Sequence, residues 1–298
     1  MPGQVGRSCL TPLIGKRGGI AGDFTVTKLG EDDFMIFGSG MAERYHQRFF
    51  NAVPLPEGSS FTPMTERLCA FNIAGPKSRK LLMRLTNEDL SNESFPFMRS
   101  RRMRVADIDV IALRVSFTGD LGWELYCDAD RQVALYEALL EVGRDLSAGP
   151  VGSRALASLR IEKGYGSWSR EYSPEYWPQE CALDRLIKLE KRAFLNKASY
   201  EKIAAERPRQ KLAIVSIDVH DADATGGEPI FLHDGTPIGQ VSSGAYGYTV
   251  GMSLALCYIK ADMAQAGDRV SVAILGRPHN ATILEHPPFD PKGERLRM

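Results

Sequence analysis

The sequence predicts an α+β fold over residues 1–205, followed by a small all-β barrel over residues 206–298. In the first region, alternating apolar residues typical of strands are mixed with the wider spacing typical of helices. In the second region, short strand-like runs follow one another at regular intervals, which is the pattern of a small antiparallel barrel or sandwich. A charged and weakly apolar stretch, Glu201–Lys211, lies where the pattern changes and indicates the domain boundary.

The first strands are predicted from alternation and turn residues. Gly22–Gly40 is predicted to form a strand, a turn and a second strand, because alternating apolar residues precede a Gly-Glu-Asp-Asp turn and an apolar run follows it. Asp109–Phe117 and Trp123–Cys127 are predicted to be two more strands. We expect the Thr-Gly-Asp-Leu-Gly segment between them to form a five-residue hairpin loop.

The helices are predicted from apolar spacing. Gly75–Thr86 has Pro76 at a position suited to the first turn of a helix. Arg131–Leu146 and Val151–Trp168 are two more helices, and the second should end near Gly164. The apolar face of the helix Arg131–Leu146 is predicted to comprise Val133, Tyr136, Leu139, Leu140 and Gly143.

The charge balance argues against a nucleic-acid partner. The chain has 37 basic and 37 acidic residues, whereas domains that bind phosphate backbones are usually basic. No apolar run approaches the ~20 residues that cross a bilayer, and the first residues lack the apolar centre of a secretory signal. The five cysteines are far apart and include no Cys-x-x-Cys pair, which indicates a reducing compartment. We therefore expect a cytoplasmic protein with no membrane partner.

Motifs for a metal or a nucleotide cofactor are absent or weak. The five histidines form no His-x-His or His-Glu-x-x-His spacing, so no metal site is predicted. Gly38–Glu43 has two glycines of the dinucleotide fingerprint and lacks the third, and we interpret it as a turn. His220–Glu228 has too few alternating carboxylates for a calcium loop and is interpreted as a solvated turn. We expect neither flavin nor metal in this chain.

Asp23 is the first candidate site residue. It follows Gly18, Gly19 and Gly22, and such glycines allow another backbone or a ligand to approach closely. An apolar-alternating strand begins beside it, so its carboxylate should lie at the start of a strand. Two interpretations stay open, a turn or capping residue and an active-site carboxylate.

Glu124 and Phe117 flank the predicted hairpin turn. Trp123 and Leu125 should point to the opposite face of the strand from Glu124, since side chains alternate along a strand. The turn should bring an aromatic face and a carboxylate to the same end of the hairpin. An exposed strand glutamate is the alternative interpretation.

The helix Val151–Trp168 carries four charged side chains: Arg154, Arg160, Glu162 and Lys163. Arg160 and Glu162 are two residues apart and cannot pair on one helix face, so each needs a partner elsewhere. Trp168 and Glu171 follow in the next loop. Structural ion pairs and packing at the helix end are one interpretation of this cluster, and a functional site is the other.

Six segments occur in the order typical of a known family: Gly18–Val26, Phe71–Leu82, Leu90–Phe97, Val115–Leu125, Leu156–Trp168 and Val241–Ile259. Together they resemble the tetrahydrofolate-binding half of dimethylglycine and sarcosine dehydrogenases. That half is itself similar to the aminomethyltransferase, or T-protein, of the glycine cleavage system. The resemblance covers nearly the whole chain, and the SNESFPF, TGDLGWE and SLRIEKGYGSW segments are typical of the dehydrogenase branch. It implies a folate-binding T-protein-like domain followed by a C-terminal barrel domain.

The resemblance also implies roles for particular residues. Asp23 matches the family's catalytic-site aspartate beside the reactive folate nitrogens, and Glu124 matches the glutamate that holds the pterin. A pterin presents a ring N–H and an exocyclic amino group side by side, and one carboxylate can accept from both. An aspartate near a developing positive charge stabilises that charge and can take its proton.

The resemblance implies three further folate contacts, and two of them depart from the family pattern. Phe117 occupies a position where relatives commonly have tyrosine, so it keeps the stacking face and loses the hydroxyl. Trp168 is assigned to the folate site. Leu156 aligns with the folate-contacting arginine of T-proteins, and Arg154 is the substitute candidate for the folate carboxylates.

The implied activity is the transfer of a formaldehyde-level carbon from an N-methylated glycine onto tetrahydrofolate, which gives 5,10-methylenetetrahydrofolate. Family members carry a folate-domain segment before the position of Met1, and the dehydrogenases carry a flavoprotein domain before that. We therefore expect an N-terminally incomplete folate domain whose flavoprotein partner is another chain. Two alternatives stay open, a non-catalytic folate-binding or assembly subunit and a folate-dependent demethylase of another methylated donor.

Overall fold

The computed structural model describes residues 2–298 and shows an α+β protein whose C-terminal part is a closed six-stranded barrel. Both features were predicted, and both are confirmed. The chain divides into two compact units. The first comprises Met1–Thr11, Phe24–Val151 and Gly293–Met298, and the second comprises Pro12–Asp23 and Gly152–Lys292. Because this division is interleaved along the chain, the predicted domain boundary at residues 205 and 206 stays a prediction.

The helices are α1 (Glu43–Asn51), α2 (Ser78–Leu82), α3 (Gln132–Gly143), α4 (Ser153–Glu162) and α5 (Lys197–Ala204). The strands are β1 (Ser8–Ile14), β2 (Ile20–Lys28), β3 (Phe34–Phe37), β4 (Leu68–Ala74), β5 (Ser100–Val105), β6 (Ile108–Leu113), β7 (Gly122–Asp128), β8 (Gln210–Ile217), β9 (Pro229–Phe231), β10 (Pro237–Gly247), β11 (Met252–Lys260), β12 (Arg269–Ile274) and β13 (Arg277–Leu284). The predicted strand, turn and strand of Gly22–Gly40 correspond to β2 and β3.

The core of the first unit lies on one face of an antiparallel sheet with the strand order β4-β7-β6-β5. Trp123 and Leu125 of β7 are completely buried in this core, and Leu135 of α3 packs in the same cluster. Since side chains alternate along a strand, Glu124 lies on the opposite face of β7, where it is half-buried. The predicted alternation of this strand is confirmed.

The second unit is built around the barrel, whose strand order is β10-β11-β8-β13-β12-β9. The predicted His-Asp-Gly turn joins β9 to β10, which pair antiparallel. Apolar side chains such as Val215, Ile238 and Val272 fill the interior and are completely buried. Closure pairs the outer strands with each other, so the barrel presents no open sheet edge.

The predicted five-residue hairpin loop is wrong. β6 ends at Leu113 and β7 begins at Gly122, so the loop comprises residues 114–121. The reason is that Arg114 bonds through its backbone to Met98 and Arg99 instead of to β7. Phe117, which was predicted to end a strand, therefore lies inside this loop.

The predicted apolar face of α3 is confirmed for Leu139 and Gly143 and wrong for Val133 and Tyr136, which are exposed. Leu135, Leu139 and Gly143 are the buried residues of this helix, whereas 65% of Val133 is exposed. Both the predicted and the observed sets recur at helical spacing, because apolar residues occur almost all round the helix. The sequence therefore predicts the helix, but it does not determine which face of the helix is buried.

Two predicted segments have different bounds in the structure. The helix predicted over Gly75–Thr86 is confined to α2, which is a little more than one turn. The charged stretch Glu201–Lys211 begins inside α5, whose Tyr200 and Ile203 are buried against Ile14. Only residues 205–209 connect α5 to β8.

Candidate functional site

Glu124 presents a carboxylate from the half-buried face of β7, opposite the core. The Oη of Tyr126 donates a hydrogen bond of 2.7 Å to Oε2 of Glu124. Burial raises the pKa of Glu124, and the hydrogen bond from Tyr126 opposes that rise. Among residues 2–298, no group donates a hydrogen bond to Oε1. The carboxylate therefore keeps acceptor capacity for a further donor.

Tyr126 is a site residue that the sequence analysis missed. It lies two residues after Glu124 and therefore on the same face of β7. Its ring packs on Phe37 of β3 with a centroid distance of 4.4 Å, and burial raises the pKa of its hydroxyl. The two-residue period of a strand would have identified it as a neighbour of Glu124.

Phe117 is held in a structured loop. Ser116 Oγ accepts a hydrogen bond of 3.0 Å from the backbone N–H of Gly119, whose φ of +86° lies in the left-handed region that glycine adopts without strain. Phe117 itself is half-buried and belongs to the same unit as Glu124. Its role as an aromatic wall for folate stays a prediction.

Asp23 belongs to the second unit and has a strongly perturbed carboxyl group. Its Oδ1 is buried and has no hydrogen-bond partner among the described residues. Burial raises the pKa of Asp23 to about 7, although a hydrogen bond from its own backbone opposes the rise. It lies inside β2 rather than at the start of the strand. A carboxyl group with these properties is typical of functional sites.

The glycines before Asp23 admit a backbone segment of the same unit. An added Cβ at Gly19 would lie 2.5 Å from the carbonyl oxygen of Pro174, and the N–H of Ile20 donates to the carbonyl of Tyr176 over 3.0 Å. The open choice between a backbone and a ligand at this gap is thereby resolved for Gly19 in favour of a backbone. The same contact helps to bury the strand that carries Asp23.

Tyr172 and Trp168 lie in the loop that follows α4. The ring of Tyr172 packs against Gly166, where an added Cβ would lie 2.6 Å from Cζ. Burial raises the pKa of Tyr172, and the nearby charge of Asp23 raises it further. Trp168 packs with Tyr172 against the cluster that contains Ile20. Packing is thus one role of Trp168, and its assignment to folate stays a prediction.

Glu171 holds the loop that follows α4 in place through hydrogen bonds inside the second unit. Its Oε2 accepts hydrogen bonds from Arg160 Nη1 over 2.8 Å and from the Ser167 N–H over 2.9 Å. Its Oε1 accepts from the hydroxyls of Ser242 and Ser243 on β10. Glu171 is completely buried and Arg160 almost so, and both of these charges are paired. The structural interpretation of this charged pair is confirmed.

The other charged residues of α4 take different positions. Glu162 is completely buried, and its Oε1 accepts a hydrogen bond of 2.8 Å from the N–H of Thr249. Lys163 forms a buried ion pair of 3.0 Å with Asp290. Arg154 is exposed in the first turn of the helix, so its head group is free to meet solvent or a ligand. Its role toward folate carboxylates stays a prediction.

The predicted site residues fall into two groups. Glu124 and Phe117 lie in the first unit, and Asp23, Trp168 and Arg154 lie in the second. Within residues 2–298, no cluster of three or more histidine, cysteine, aspartate or glutamate side chains is placed to hold a metal ion. In the same range, no helix combines the length and hydropathy needed to cross a membrane. Each unit thus contains one candidate carboxyl group with a raised pKa, Glu124 in the first unit and Asp23 in the second.

Comparison with known proteins identifies relatives over the whole chain. Dimethylglycine dehydrogenase of Rattus norvegicus is 32% identical over 99% of this chain and 35% of its own length. An aminomethyltransferase of Caldanaerobacter subterraneus is 25% identical over 92% of this chain and 73% of its own length. The chain thus spans about a third of the length of the dehydrogenases it matches.

The solved structure of the glycine cleavage system aminomethyltransferase T of Bartonella henselae has the same fold. Its TM-score is 0.83 at 21% identity, over 97% of this chain and 77% of that one. The family model described as GCVT N-terminal domain matches residues 1–191. The model described as glycine cleavage T-protein C-terminal barrel domain matches residues 210–290. The chain therefore belongs to the glycine cleavage T-protein family, and its resemblance to the dimethylglycine dehydrogenase branch is confirmed.

Proposed function

We propose that this chain binds tetrahydrofolate and transfers a one-carbon unit to it from the iminium of an N-methylated glycine or from formaldehyde. The observation that carries the proposal is the Glu124 carboxylate, which keeps a free acceptor oxygen on a half-buried sheet face. A pterin offers two adjacent N–H donors, and a carboxylate is the side chain best suited to accept from both. Family membership supports the same cofactor.

The chain's own residues would act as follows. Glu124 would bind and orient the pterin ring, and Tyr126 would hold the carboxylate of Glu124 in place. Asp23 would stabilise positive charge on the donor nitrogen and take up or release a proton there. Its pKa of about 7 is suited to both roles near neutral pH. Tetrahydrofolate would supply the two nitrogens that accept the one-carbon unit, one in the pterin ring and one outside it, and would leave as 5,10-methylenetetrahydrofolate.

The state of Asp23 favours an enzyme over a non-catalytic folate-binding subunit. A carboxyl group with a pKa of about 7 is suited to proton transfer near neutral pH, which a domain that only binds folate does not need. The absence of a hydroxyl at Phe117 is the observation that favours the binding-only alternative. Oxidation of the amine would be carried out by a flavoprotein.

A calorimetric titration of the purified chain with a stable reduced folate tests the binding step. We expect micromolar affinity and a loss of about 1–3 kcal/mol in Glu124→Gln, because the substitution leaves a buried donor unsatisfied. Glu137→Gln, an exposed position on α3, is the matched control and should bind like the unmodified chain. A folded chain that does not bind the folate would contradict the proposal.

A second assay separates catalysis from binding. The chain is mixed with tetrahydrofolate, an N-methylated glycine and a flavoprotein that oxidises it, and methylenetetrahydrofolate is measured. Turnover that is lost in Asp23→Asn while folate affinity is retained would support the enzyme. Binding without any turnover above that of the flavoprotein alone would instead assign the chain to the non-catalytic alternative.

A further inference from the structure

Two free thiols lie in contact across strands β4 and β7. Cys69 and Cys127 are directly opposite each other in the antiparallel register, and their Sγ atoms are 3.4 Å apart. All five cysteines are free thiols. The thiols of Cys9, Cys181 and Cys257 lie within hydrogen-bond distance of a hydroxyl or backbone oxygen, so the thiol–thiol contact is confined to Cys69 and Cys127 among residues 2–298.

The backbone already provides the separation that a disulfide requires. Directly opposed residues of an antiparallel pair have Cα atoms roughly 4.5–5.5 Å apart, which lies within the range observed for disulfides. The two sulfur atoms need to approach by little more than one ångström, since a disulfide bond is about 2.05 Å long. Rotation of the two side chains can provide this movement, so the backbone hydrogen bonds between β4 and β7 can remain in place.

The two thiols differ in access. Cys127 is 1% exposed in the core of the first unit, and burial raises the pKa of its thiol to about 12. Cys69 is half-buried at the margin of the same core. An oxidant dissolved in water therefore meets Cys69 first, and Cys127 is in place to react with whatever forms there.

We propose that Cys69 and Cys127 are a redox modification site that forms a reversible intramolecular disulfide with a small-molecule disulfide, such as oxidised glutathione, as the oxidant. The Cys69 thiolate attacks one sulfur of the oxidant and releases one thiolate, which takes up a proton. Cys127 then loses its proton and attacks the Cys69 sulfur, which releases the second thiolate. Two protein thiols become one disulfide, and the oxidant is reduced to two thiols.

The position of the pair determines the effect of oxidation. The bond would join residues 58 apart in sequence, and the closed loop contains β5, β6 and the segment 114–121. Cross-linking a long loop stabilises a protein chiefly by restricting the unfolded chain. Both thiols lie on the core face of the sheet, Cys69 on β4 and Cys127 on β7, so the bond leaves the opposite face, which carries Glu124, unchanged.

The test uses the full chain in buffers with increasing ratios of oxidised to reduced glutathione. After free thiols are blocked with an alkylating reagent, peptide mapping by mass spectrometry should show a Cys69–Cys127 cross-link that dithiothreitol reverses. The oxidised form should melt about 5–10 °C above the reduced form. Cys69→Ala, at the more accessible position, should abolish both effects, and Cys9→Ala should leave both unchanged.

Two results would overturn the proposal. One is that both thiols remain open to alkylation across the whole range of buffers while oxidised glutathione is present. The other is a stable glutathione adduct on Cys69 without the cross-link. Cys127→Ala provides a second variant and should convert the cross-link into that single adduct if Cys69 reacts first.

Discussion

Tyr126 donates a hydrogen bond of 2.7 Å to Glu124 from the same face of the same strand. Tyr126→Phe removes this donor and keeps the ring that packs on Phe37. Because the hydrogen bond opposes the rise in the pKa of Glu124, its loss should raise that pKa further. The carboxylate that we propose to bind folate should then be protonated at a higher pH.

The expected result for Tyr126→Phe is therefore a pH-dependent loss of folate affinity. We expect roughly a 2- to 10-fold loss, corresponding to one hydrogen bond, with the larger effect at the acidic end of a titration series. Calorimetry between about pH 5.5 and 8.5 measures it. Tyr136→Phe on α3 is the control and should follow the unmodified chain. A uniform loss at every pH would indicate that the Tyr126 hydroxyl orients the carboxylate of Glu124 without changing its pKa.

Asp23→Asn should stabilise the protein in a pH-dependent way. The native pKa of about 7 lies above the ordinary value of 3.8, so between these values the native state holds a proton that the unfolded chain has released. The contribution of Asp23 to the free energy of unfolding therefore falls as the pH rises through this window, and it levels off above the native pKa. Asparagine does not ionise, so its contribution to the free energy of unfolding does not change with pH in this window.

The gain in stability from Asp23→Asn should be about 1 kcal/mol near pH 4.5 and reach about 4 kcal/mol at pH 8. Urea unfolding at both pH values measures the difference. A gain that is equal at the two pH values would show that the carboxyl group is not protonated in the native state. Loss of turnover should accompany the gain, as expected when a functional group is kept at the expense of stability.

Glu171→Gln should destabilise the second unit strongly. The substitution removes the partner of the buried Arg160 guanidinium, and breaking a buried pair in this way costs about 3–5 kcal/mol. Asp33→Asn, in the exposed pair with Arg102, is the control and should cost less than about 1 kcal/mol. Urea unfolding of both variants compares them. Equal costs would mean that Arg160 finds another partner.

Gly19→Ala should destabilise the protein because the new methyl group would lie 2.5 Å from the carbonyl oxygen of Pro174. Since backbone atoms must move to admit it, we expect a loss of about 1–3 kcal/mol and a change in the pKa of Asp23. Gly40→Ala meets no atom within 4 Å and should be nearly neutral. Thermal melts compare the two, and a carboxyl-specific infrared titration reports on Asp23.

The local sequence was sufficient to predict the buried face of an element where its apolar pattern allows only one such face. In β7 the alternation of Trp123, Glu124 and Leu125 determines which face is buried, and the same rule applied one step further would have found Tyr126. In α3 apolar residues occur on several faces, so the sequence allows more than one burial pattern. The side that packs on the sheet is then decided by the shape of the core.

The raised pKa of Asp23 could not be predicted from the local sequence, for a different reason. The start of its strand is covered by a segment about 150 residues further along the chain, where Pro174 and Tyr176 contact Gly19 and Ile20. Near Asp23 in sequence, only the glycines indicate this contact. They predict that another group approaches closely, but they do not identify that group. The catalytic role predicted for Asp23 comes from the resemblance to the T-protein family, and burial is the physical reason for its raised pKa.

The contacts of Glu171 also constrain the order of events during folding. Ser242 and Ser243 lie 71 and 72 residues beyond Glu171 in sequence, and Tyr258, whose hydroxyl bonds the Glu171 carbonyl, lies 87 residues beyond it. A ribosome must therefore release most of the barrel before the loop after α4 has its partners. Until then the Glu171 carboxylate and the Arg160 guanidinium remain hydrated, and Trp168 and Tyr172 have no fixed surface to pack on. We expect this loop to become protected from hydrogen exchange only in the last, slow phase of refolding, together with β10 and β11.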